Sequence, residues 1–425
     1  MKNVLAMVLA GGRVDELSVL TLRRPKSAVP FGGMYRVIDF PLSNLMHSGV
    51  ENVGILSQYR SYSLINHIGV GAWWDFLGRN RGATMLPPSM GYKASDWYKG
   101  SSDAVFQNLE FVKIHQPQTV LIISGDHIYK MDYRQMLRYH REKDADLTVA
   151  FYSIDGKQSC RFGVAELDEE DGKIGGRIVN YREKPKDVFY PWASLTIYLF
   201  KPSVLNEVLE ENARLSDSHE FGRDIIPAML SKYRVYGYKF DGYWGYARTI
   251  DEYWQTNMDL LQDRPAIDLE AWQVRTNLDH DGLRDRAPAW LGPQADVQNA
   301  LIQNGCEING QVENSILFPG VKVAEGAAVK DSILLFDTVV EAGAVLDKVI
   351  TDVEVQIGAD SHVGVGEQII PNREFPELLS SGLTLLGRAV QIPPKLQLGR
   401  NCIVNPLKQA ADFTEKSYAT GVSIL

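Results

Sequence analysis

Short apolar runs alternate with longer segments of helical periodicity over the first 265 residues. Five runs have the length of a buried strand: Val4–Leu9, Val53–Leu56, Val120–Ile123, Leu147–Phe151 and Leu195–Phe200. Two of the segments between them carry apolar residues at helical spacing, namely Ala104–Ile114 and Tyr133–Glu142. This alternation predicts an α/β domain whose mostly parallel sheet is covered by helices. In such sheets, ligands bind at the carboxyl ends of the strands.

A different periodicity begins after residue 295. Similar segments start at Ser315, Ser332 and Val349, 17 residues apart, and small or aliphatic residues recur within them about every six positions. Internal repetition of this kind predicts a parallel β-helix in which each coil stacks on the previous one. A β-sandwich with regular turns is the alternative. The Gly-Ala pairs at 326–327 and 343–344, again 17 apart, favour the β-helix, and residues 392–402 are predicted to form one more coil.

These two patterns divide the chain. We predict one domain over residues 1–265, a linker rich in charge and proline over 266–295, and a β-helix domain over 296–425. A chain of 425 residues is also too long for one ordinary core, so two domains are expected on length alone.

Composition narrows the classes of function. No apolar run approaches the roughly 18 residues that span a membrane, so no membrane partner is expected. A net charge of −9 disfavours a nucleic-acid partner. The three cysteines, Cys160, Cys306 and Cys402, lie far apart, which argues against a disulfide framework or a zinc site and favours a reducing, cytoplasmic location.

The first predicted strand ends in Leu9-Ala10-Gly11-Gly12. Glycines directly after a buried strand let backbone N–H groups approach a phosphate, which a Cβ atom would obstruct. Many glycine pairs after strands are only tight turns, so this feature alone is weak evidence.

Longer strings of residues are more specific. They span residues 24–33, 36–40, 42–44, 48–50, 57–59, 97–104, 125–130, 161–164, 183–185 and 218–222. In this order they strongly resemble the glucose-1-phosphate adenylyltransferase family. Because that family also carries a C-terminal left-handed β-helix, the resemblance covers nearly the whole chain and implies a Rossmann-like nucleotidyltransferase domain followed by such a β-helix.

The resemblance also implies an activity and its partners. The activity is adenylyl transfer from ATP to glucose 1-phosphate, giving ADP-glucose and pyrophosphate for the synthesis of glycogen or another α-glucan. The implied cofactor is Mg²⁺. The implied assembly is a homotetramer, or a mixed tetramer with a related subunit.

Three charged residues are the implied catalytic groups. Asp126 follows the strand 120–123, and a carboxylate at that edge can hold Mg²⁺ against the α-phosphate of ATP. The alternative role of Asp126 is a helix N-cap. Arg24 and Lys26 would neutralise the triphosphate, although a basic run is also compatible with a solvated surface.

The remaining site residues are assigned by the resemblance. The implied nucleotide-binding positions are Leu9, Ala10, Gly11, Gly12, Gln58 and Gly100. The implied sugar-phosphate positions are Tyr98, Gly163, Glu183, Lys184 and Ser194. Glu183 would accept hydrogen bonds from sugar hydroxyls and Lys184 would meet the phosphate. One aromatic of the pair Trp97 and Tyr98 is expected in the core.

The chain departs from the family pattern at several functional positions. The family phosphate loop reads Gly-Gly-x-Gly-x-Arg-Leu, whereas Val14 replaces a glycine here and Glu16 replaces the arginine. A β-branched residue does not readily take a positive φ, and a carboxylate repels a polyphosphate.

A second departure concerns the family string Tyr-Trp-Arg-Asp-Val-Gly-Thr, whose Asp binds a second metal ion. This chain has Tyr246 at the Asp position, and phenol is a poor Mg²⁺ ligand. Nearby Asp241 is a possible substitute, and Thr196 replaces a glycine near the sugar.

These departures leave three hypotheses open. The chain is an active adenylyltransferase with a rebuilt phosphate loop, a weakly active or inactive regulatory subunit that binds sugar nucleotides, or a nucleotidyltransferase for another nucleotide. Retention of Asp126, Lys26, Glu183 and Lys184 favours an enzyme. If the loop changes disable the site, Val14→Gly with Glu16→Arg is expected to recover triphosphate binding.

Overall fold

The computed structural model describes residues 1, 3–12, 14–88, 97–168, 170–188, 190–366 and 370–425. The chain forms two compact units. The first comprises residues 1–12 and 38–244, and the second comprises residues 13–37 and 245–425. The predicted boundaries at 265 and 296 lie where the sequence pattern changes. The compact units are instead defined by contacts between residues, and these contacts group residues 13–37 with the β-helix.

The first unit is built on a ten-stranded sheet. Its strands, in chain order, are β1 Val4–Leu9, β2 Asn52–Leu56, β3 Leu77–Gly78, β4 Arg81–Leu86, β5 Thr119–Ser124, β6 Leu147–Ser153, β7 Gly163–Leu167, β8 Gly175–Glu183, β9 Trp192–Phe200 and β10 Val235–Phe240. They lie side by side in the order β7-β8-β10-β6-β9-β5-β1-β2-β4-β3. All five predicted strands are confirmed.

The sheet is mixed, so the prediction of a mostly parallel sheet is wrong. Strand β1 runs parallel to β2 and β5, and β2 runs parallel to β4. Strand β9 is antiparallel to both β5 and β6. Parallel neighbours need a crossover of a dozen or more residues, commonly a helix. Between β6 and β9 the described residues form the 3₁₀ helix Gly156–Arg161 and the strands β7 and β8 but no α-helix, so no α-helical crossover joins these antiparallel neighbours.

The helices of the first unit are α1 Asp39–Ser48, α2 Tyr62–Ile68, α3 Ser101–Gln107, α4 Leu109–His115, α5 Tyr133–Glu142, α6 Pro202–Leu215 and α7 Ile226–Met229, with a 3₁₀ helix at Ala72–Trp74 and a π-helix at Phe221–Ile225. Helix α5 matches its predicted bounds. The helix predicted over 104–114 is interrupted at Asn108, whose φ of −113° and ψ of 19° are not helical. The Asn108 side chain donates to Ala104 O and to Tyr98 Oη, contacts that compete with a continuous helix.

Strands β1 and β5 form the centre of the first core. Both are buried almost throughout, as expected for apolar runs that lack alternation. Leu9 is in register with Leu56 of β2 on one side and with Ser124 of β5 on the other. The segments that follow these strands therefore leave the sheet at one edge, which brings Gly11, Gln58 and Asp126 together.

The second unit contains the left-handed parallel β-helix. A six-stranded sheet forms one part of it, with strands Trp290–Leu291, Glu307–Ile308, Lys322–Val323, Val339–Val340, Gln356–Ile357 and Gln391–Ile392. The other strands are Asp296–Ile302, Gln311–Leu317, Ala328–Lys330, Ile333–Leu334, Val345–Asp347, Val349–Thr351, His362–Val363, Thr384–Leu386, Gln397–Leu398, Ile403–Val404, Ser417–Tyr418 and Ser423–Ile424.

The 17-residue repeat is the spacing between coils. Ile316 is in parallel register with Ile333, and Ile333 with Ile350. Gly326 and Gly343 turn the chain with φ of 73° and 72°, which explains why glycine repeats there. The coil predicted at 392–402 is confirmed, because Ile392 pairs in parallel with Ile357. These parallel pairings rule out the β-sandwich.

Residues 13–37 pack within the second unit against helix α8 (Ile250–Met258). Tyr253 Oη donates to Pro30 O at 2.6 Å, and the Gly32 amide donates to Asn257 Oδ1 at 2.9 Å. The other elements of the unit are helix α9 Leu269–Trp272, a hairpin of Pro30–Phe31 with Tyr35–Arg36, and 3₁₀ helices at Asp15–Leu20, Lys26–Ala28, Asp259–Leu261, His280–Asp285 and Ala410–Asp412. Across the part of the chain that the structure describes, no helix is both long and apolar enough to span a bilayer.

Candidate nucleotide and sugar-phosphate site

A cleft of about 390 Å³ lies at the carboxyl edge of β1, β2 and β5 in the first unit. It is lined by Leu9, Ala10, Gly11, Gly12, Leu56, Gln58, Tyr98, Lys99, Gly100, Ser101, Ala104, Asp126 and Glu220. All six residues predicted to bind nucleotide are among them, together with Asp126 and Tyr98. The structure therefore brings these eight sequence-predicted residues to one cavity.

Gly11 lies where two turns approach each other closely. A Cβ atom on Gly11 would stand 2.5 Å from the Gln58 backbone nitrogen and 2.7 Å from Ser57 Cα. The Gly11 carbonyl also accepts a hydrogen bond from the Tyr59 amide. At Gly12, by contrast, an added Cβ would meet nothing within 4 Å. Gly11 is needed for the close approach of the two loops, while Gly12 borders open space in the cleft.

We expect Gly11→Ala to lower ATP affinity by about ten- to a hundredfold, since overpacking typically costs 1–3 kcal/mol and the clash is with backbone. Calorimetric titration with ATP and thermal unfolding would measure the effect. The matched control is Gly82→Ala on β4, where an added Cβ meets nothing within 4 Å. Equal ATP affinities for Gly11→Ala and Gly82→Ala would contradict the packing argument.

Gln58 holds the backbone of Tyr98, and both residues line the cleft. Its side-chain Oε1 accepts from the Tyr98 amide at 2.7 Å, and its Nε2 donates to the Tyr98 carbonyl at 3.3 Å. Tyr98 Oη in turn donates to Leu86 O. Tyr98 is half-buried against the core while Trp97 is exposed, so the core aromatic of this pair is Tyr98.

Glu220 is a cleft residue to which sequence reasoning gave no role. It accepts hydrogen bonds from the Ser101 amide at 3.1 Å and from Ser101 Oγ at 2.5 Å. An added Cβ on Gly100 would lie 2.0 Å from His219 O and 3.1 Å from Glu220 Oε1. Residues 97–104 and 218–222 are both among the strings that carry the family resemblance. That membership was the sequence signal that could have assigned Glu220 to the site.

Asp126 lies at the carboxyl end of β5 with its side chain 28% exposed. Ser124 Oγ donates to its Oδ1, and His127 Nε2 lies 3.3 Å from the same oxygen. It caps no described helix, since the short strand Ile128–Tyr129 follows it. Within the described ranges, no group of three or more His, Cys, Asp and Glu residues could hold a metal ion. One partly exposed carboxylate fits Mg²⁺, which commonly binds through one or two carboxylates and substrate phosphates.

The predicted sugar-phosphate residues form a second cluster around Tyr181. Glu183 Oε2 lies 3.4 Å from Tyr181 Oη, and Ser194 hydrogen-bonds that tyrosine. An added Cβ on Gly163 would meet Tyr181 Oη at 2.0 Å and Glu183 Oε2 at 2.6 Å. Gly222, which sequence reasoning did not assign, likewise leaves room for the Glu183 carboxylate. Four of the five predicted residues, Gly163, Glu183, Lys184 and Ser194, thus lie together, whereas Tyr98 lines the cleft.

Burial raises the pKa of the Glu183 carboxyl. Lys184 and the Tyr181 hydroxyl oppose the shift, and the negative charge of Glu220 adds to it. Glu183 is half-buried, and its carboxyl group is a candidate hydrogen-bond acceptor for hydroxyl groups.

We expect Glu183→Gln to weaken glucose 1-phosphate binding while gaining thermal stability relative to wild type as the pH rises. The folded wild type holds the Glu183 proton more tightly than the unfolded chain, whose glutamate pKa is about 4.3. Its free energy of unfolding therefore falls as the pH rises through the raised pKa, and the Gln variant lacks this loss. Melting temperatures from pH 4 to 8, with Glu166→Gln on β7 as an exposed control, would measure the difference. A difference in melting temperature between wild type and Glu183→Gln that stays constant from pH 4 to 8 would contradict this expectation.

Arg24 and Lys26 belong to the second unit, and neither forms a solvated basic surface. The Arg24 guanidinium is buried and donates to Asp352 Oδ1 at 2.5 Å. Lys26 is 2% exposed, and its Nζ donates to the Tyr246 carbonyl at 2.8 Å. Their role in neutralising a triphosphate stays a prediction.

The departures from the family pattern have different structural consequences. Val14 has an extended backbone, with φ of −127° and ψ of 102°, so the steric objection to a β-branched residue there is wrong for this structure. Thr196 does adopt a positive φ of 55°, where β9 shifts register between Ser194 and Tyr198. A threonine residue in this conformation raises the free energy of the folded chain by an amount of order 1–3 kcal/mol. The strained residue lies close in sequence to Ser194, one of the predicted sugar-phosphate residues. Asp241, the suggested substitute ligand, is exposed.

Comparison with known proteins agrees with this geometry. The family model described as nucleotidyl transferase matches residues 5–263, and the one described as GlmU-like, C-terminal hexapeptide matches residues 291–386. A glucose-1-phosphate adenylyltransferase of Thermomicrobium roseum is 41% identical, covering 100% of this chain and 98% of the relative. Those of Acetivibrio thermocellus and Thermotoga neapolitana are each 39% identical, again over 100% of this chain and over 98% and 99% of the relatives.

The chain belongs to the glucose-1-phosphate adenylyltransferase family. The resemblance inferred from the sequence strings is thereby confirmed. So is the fold expected of the glucose-1-phosphate adenylyltransferase family, a nucleotidyltransferase domain followed by a left-handed β-helix.

Proposed function

We propose that this chain transfers the adenylyl group of ATP to glucose 1-phosphate, giving ADP-glucose and pyrophosphate for α-glucan synthesis. The observation that carries the proposal is the cleft of the first unit, where the glycines after β1, the amide of Gln58 and the carboxylate of Asp126 line one cavity. Relatives that span the whole chain are named for this reaction.

The reaction is a single phosphoryl-type displacement. An oxygen of the sugar phosphate attacks the α-phosphorus of ATP, and the bond from that phosphorus to the bridging oxygen of the leaving pyrophosphate breaks. The protein's task is to position both substrates and to stabilise the developing charge. The backbone at Gly11 and Gly12 would approach the phosphates of ATP, since no side chain stands there.

Asp126 would hold Mg²⁺, which supplies positive charge against the phosphate oxygens when it is bound. Ser124 Oγ donates to Asp126 Oδ1, which fixes the carboxylate that would hold the ion at the end of β5. Glu183 would accept hydrogen bonds from sugar hydroxyls, and Lys184, which is exposed, would meet the sugar phosphate. The carboxylate of Glu220 lines the cleft, and its negative charge adds to the burial that raises the pKa of Glu183.

We further propose a cytoplasmic homotetramer, or a mixed tetramer with a related subunit. The three cysteines are free, and two of them, Cys306 and Cys402, are buried in the β-helix. This cysteine usage is typical of a reducing compartment. Light scattering would test the assembly, and a stable species at 47.6 kDa would contradict both tetramers.

The function is tested by assaying the purified chain with ATP, Mg²⁺ and glucose 1-phosphate. Pyrophosphate release should match ADP-glucose formation mole for mole at an ordinary enzyme rate, and UTP or GTP should substitute poorly for ATP. Binding of ADP-glucose without turnover would overturn the catalytic proposal and indicate a regulatory subunit. Faster turnover with another nucleotide would change the substrate.

A further inference from the structure

Part of the wall of the nucleotide cleft is held in place by residues 219–221 of the first unit. The Glu220 carboxylate accepts from the Ser101 amide at 3.1 Å and from Ser101 Oγ at 2.5 Å. Ser101 Oγ in turn accepts from the Phe221 amide at 3.1 Å. Ser101 and Glu220 both line the cleft, as does Gly100. The position of this wall therefore depends on the position of the Glu220 backbone.

Asp224 contacts both polar groups of the Glu220 backbone. Its side-chain Oδ2 accepts from the Glu220 amide at 2.8 Å, and its own amide donates to Glu220 O at 2.9 Å. The same Oδ2 accepts from Ser218 Oγ at 2.8 Å. Glu220 immediately precedes the π-helix Phe221–Ile225 and has an extended backbone, with φ of −121° and ψ of 137°. As in a capping box, a side chain inside the helix thus reaches back to the N–H of the residue before it.

Asp224 is not itself part of the described lining of the cleft. It lines a separate cavity of about 350 Å³, whose walls include residues of α6, the π-helix and α7. Asn212 of α6 provides a second anchor for the same segment. Its Nδ2 donates to Ser218 O at 3.1 Å, and its Oδ1 lies 2.9 Å from His219 Nδ1. Loss of the Asp224 carboxylate would therefore release the Glu220 amide while Asn212 still holds the preceding residues.

We infer that Asp224 is a positioning residue for ATP binding, and that it acts by holding the Glu220 carboxylate against Ser101. This inference rests on the proposed function. The allowed directions of a side chain depend on the backbone dihedrals, so a shift of the Glu220 backbone would withdraw its carboxylate from Ser101. The role requires an acceptor oxygen at the position of Asp224 Oδ2. It does not require negative charge there, because one neutral carbonyl oxygen has two lone pairs and can accept both hydrogen bonds.

Calorimetric titration with ATP tests the inference without requiring turnover. Asp224→Ala should raise the Kd for ATP about tenfold, the effect expected when one hydrogen-bonding group loses its partner. Asp224→Asn should recover most of the affinity, because its side-chain oxygen can accept from both the Glu220 amide and Ser218 Oγ. Asp224→Glu keeps the charge but displaces the oxygen by one methylene group, so it should bind ATP more weakly than Asp224→Asn. A role for the charge would give these two variants the reverse order.

The matched control is Asp132→Ala on helix α5 of the same unit. Asp132 also accepts a backbone amide at the start of a helix, that of Arg134 at 3.0 Å. Loss of a cap lowers stability, so the melting temperature should fall in both Asp132→Ala and Asp224→Ala. Asp132 also lies outside the described lining of the cleft, and Asp132→Ala should bind ATP as wild type does. The control thereby separates a loss of stability from a loss of positioning.

The double variant Ser101→Ala with Asp224→Ala tests the route by which Asp224 acts. Ser101→Ala removes the hydroxyl that contacts Glu220. In that background Asp224→Ala should therefore weaken ATP binding by a smaller factor than in wild type. Equal Kd values for Asp224→Ala and Asp132→Ala, tighter binding by Asp224→Glu than by Asp224→Asn, additive effects in the double variant, or no ATP binding by wild type would each overturn the inference. A wild type that binds ATP but forms no ADP-glucose refutes only the proposed function.

Discussion

Replacing Asp126 by Asn should reduce ADP-glucose formation by about 10²–10⁴-fold, because the change keeps the size of the side chain but removes its negative charge. Mg²⁺ held by a carboxylate stabilises charge on the reacting phosphates, and its loss raises the barrier by several kcal/mol. Asp126 lines the cleft at the carboxyl end of β5. Ser124, which donates a hydrogen bond to Asp126, would remain in the variant. Steady-state kcat at saturating Mg²⁺ would measure the loss, while thermal unfolding should be nearly unchanged.

The matched control is Asp132→Asn in the same unit. Asp132 caps helix α5, where its side chain accepts from the Arg134 amide at 3.0 Å. Asparagine caps helices about as well as aspartate, so this variant should keep its turnover. Near-normal turnover in Asp126→Asn would refute the metal assignment. A comparable loss in Asp241→Asn would show that this exposed aspartate contributes as well.

Replacing Asp352 by Ala should lower the free energy of unfolding by about 3–5 kcal/mol, since it leaves the Arg24 guanidinium buried without its carboxylate. The two side chains are 6% and 1% exposed and lie 2.5 Å apart. Asp352 Oδ1 also accepts the Val353 amide at 2.8 Å, so the same change removes a second hydrogen bond. Chemical denaturation and thermal melting would both report the loss.

An exposed pair in the same β-helix serves as the comparison. Glu307 and Lys322 lie 2.7 Å apart with about half of each side chain exposed, and Glu307→Ala should leave the melting temperature within error. The double variant Arg24→Met with Asp352→Leu should be far more stable than Asp352→Ala, because an apolar pair needs no charge compensation. If Asp352→Ala is as mild as Glu307→Ala, the pair does not anchor residues 13–37.

The sequence alone was sufficient where a feature depends on local periodicity. The apolar runs 4–9 and 120–123 were long enough and uniform enough to identify central strands, and the carboxyl ends of such strands meet at one edge. The 17-residue repeat determined the β-helix, because each coil reproduces the register of the previous one from Ile316 to Ile350. The glycines after β1 and the aspartate after β5 could therefore be placed in one site without coordinates.

Only the tertiary structure decided which distant side chains meet. Arg24 and Asp352 are 328 residues apart in the chain, and Glu16 and Arg248 are 232 apart. No periodicity relates such positions, since an ion pair depends on where two separate elements pack and not on the pattern within either. For the same reason the sequence suggested that Glu16 would repel a polyphosphate, whereas in the folded chain Arg248 neutralises its charge. The antiparallel half of the sheet was equally hidden, because a buried apolar run looks the same whichever way its neighbours run.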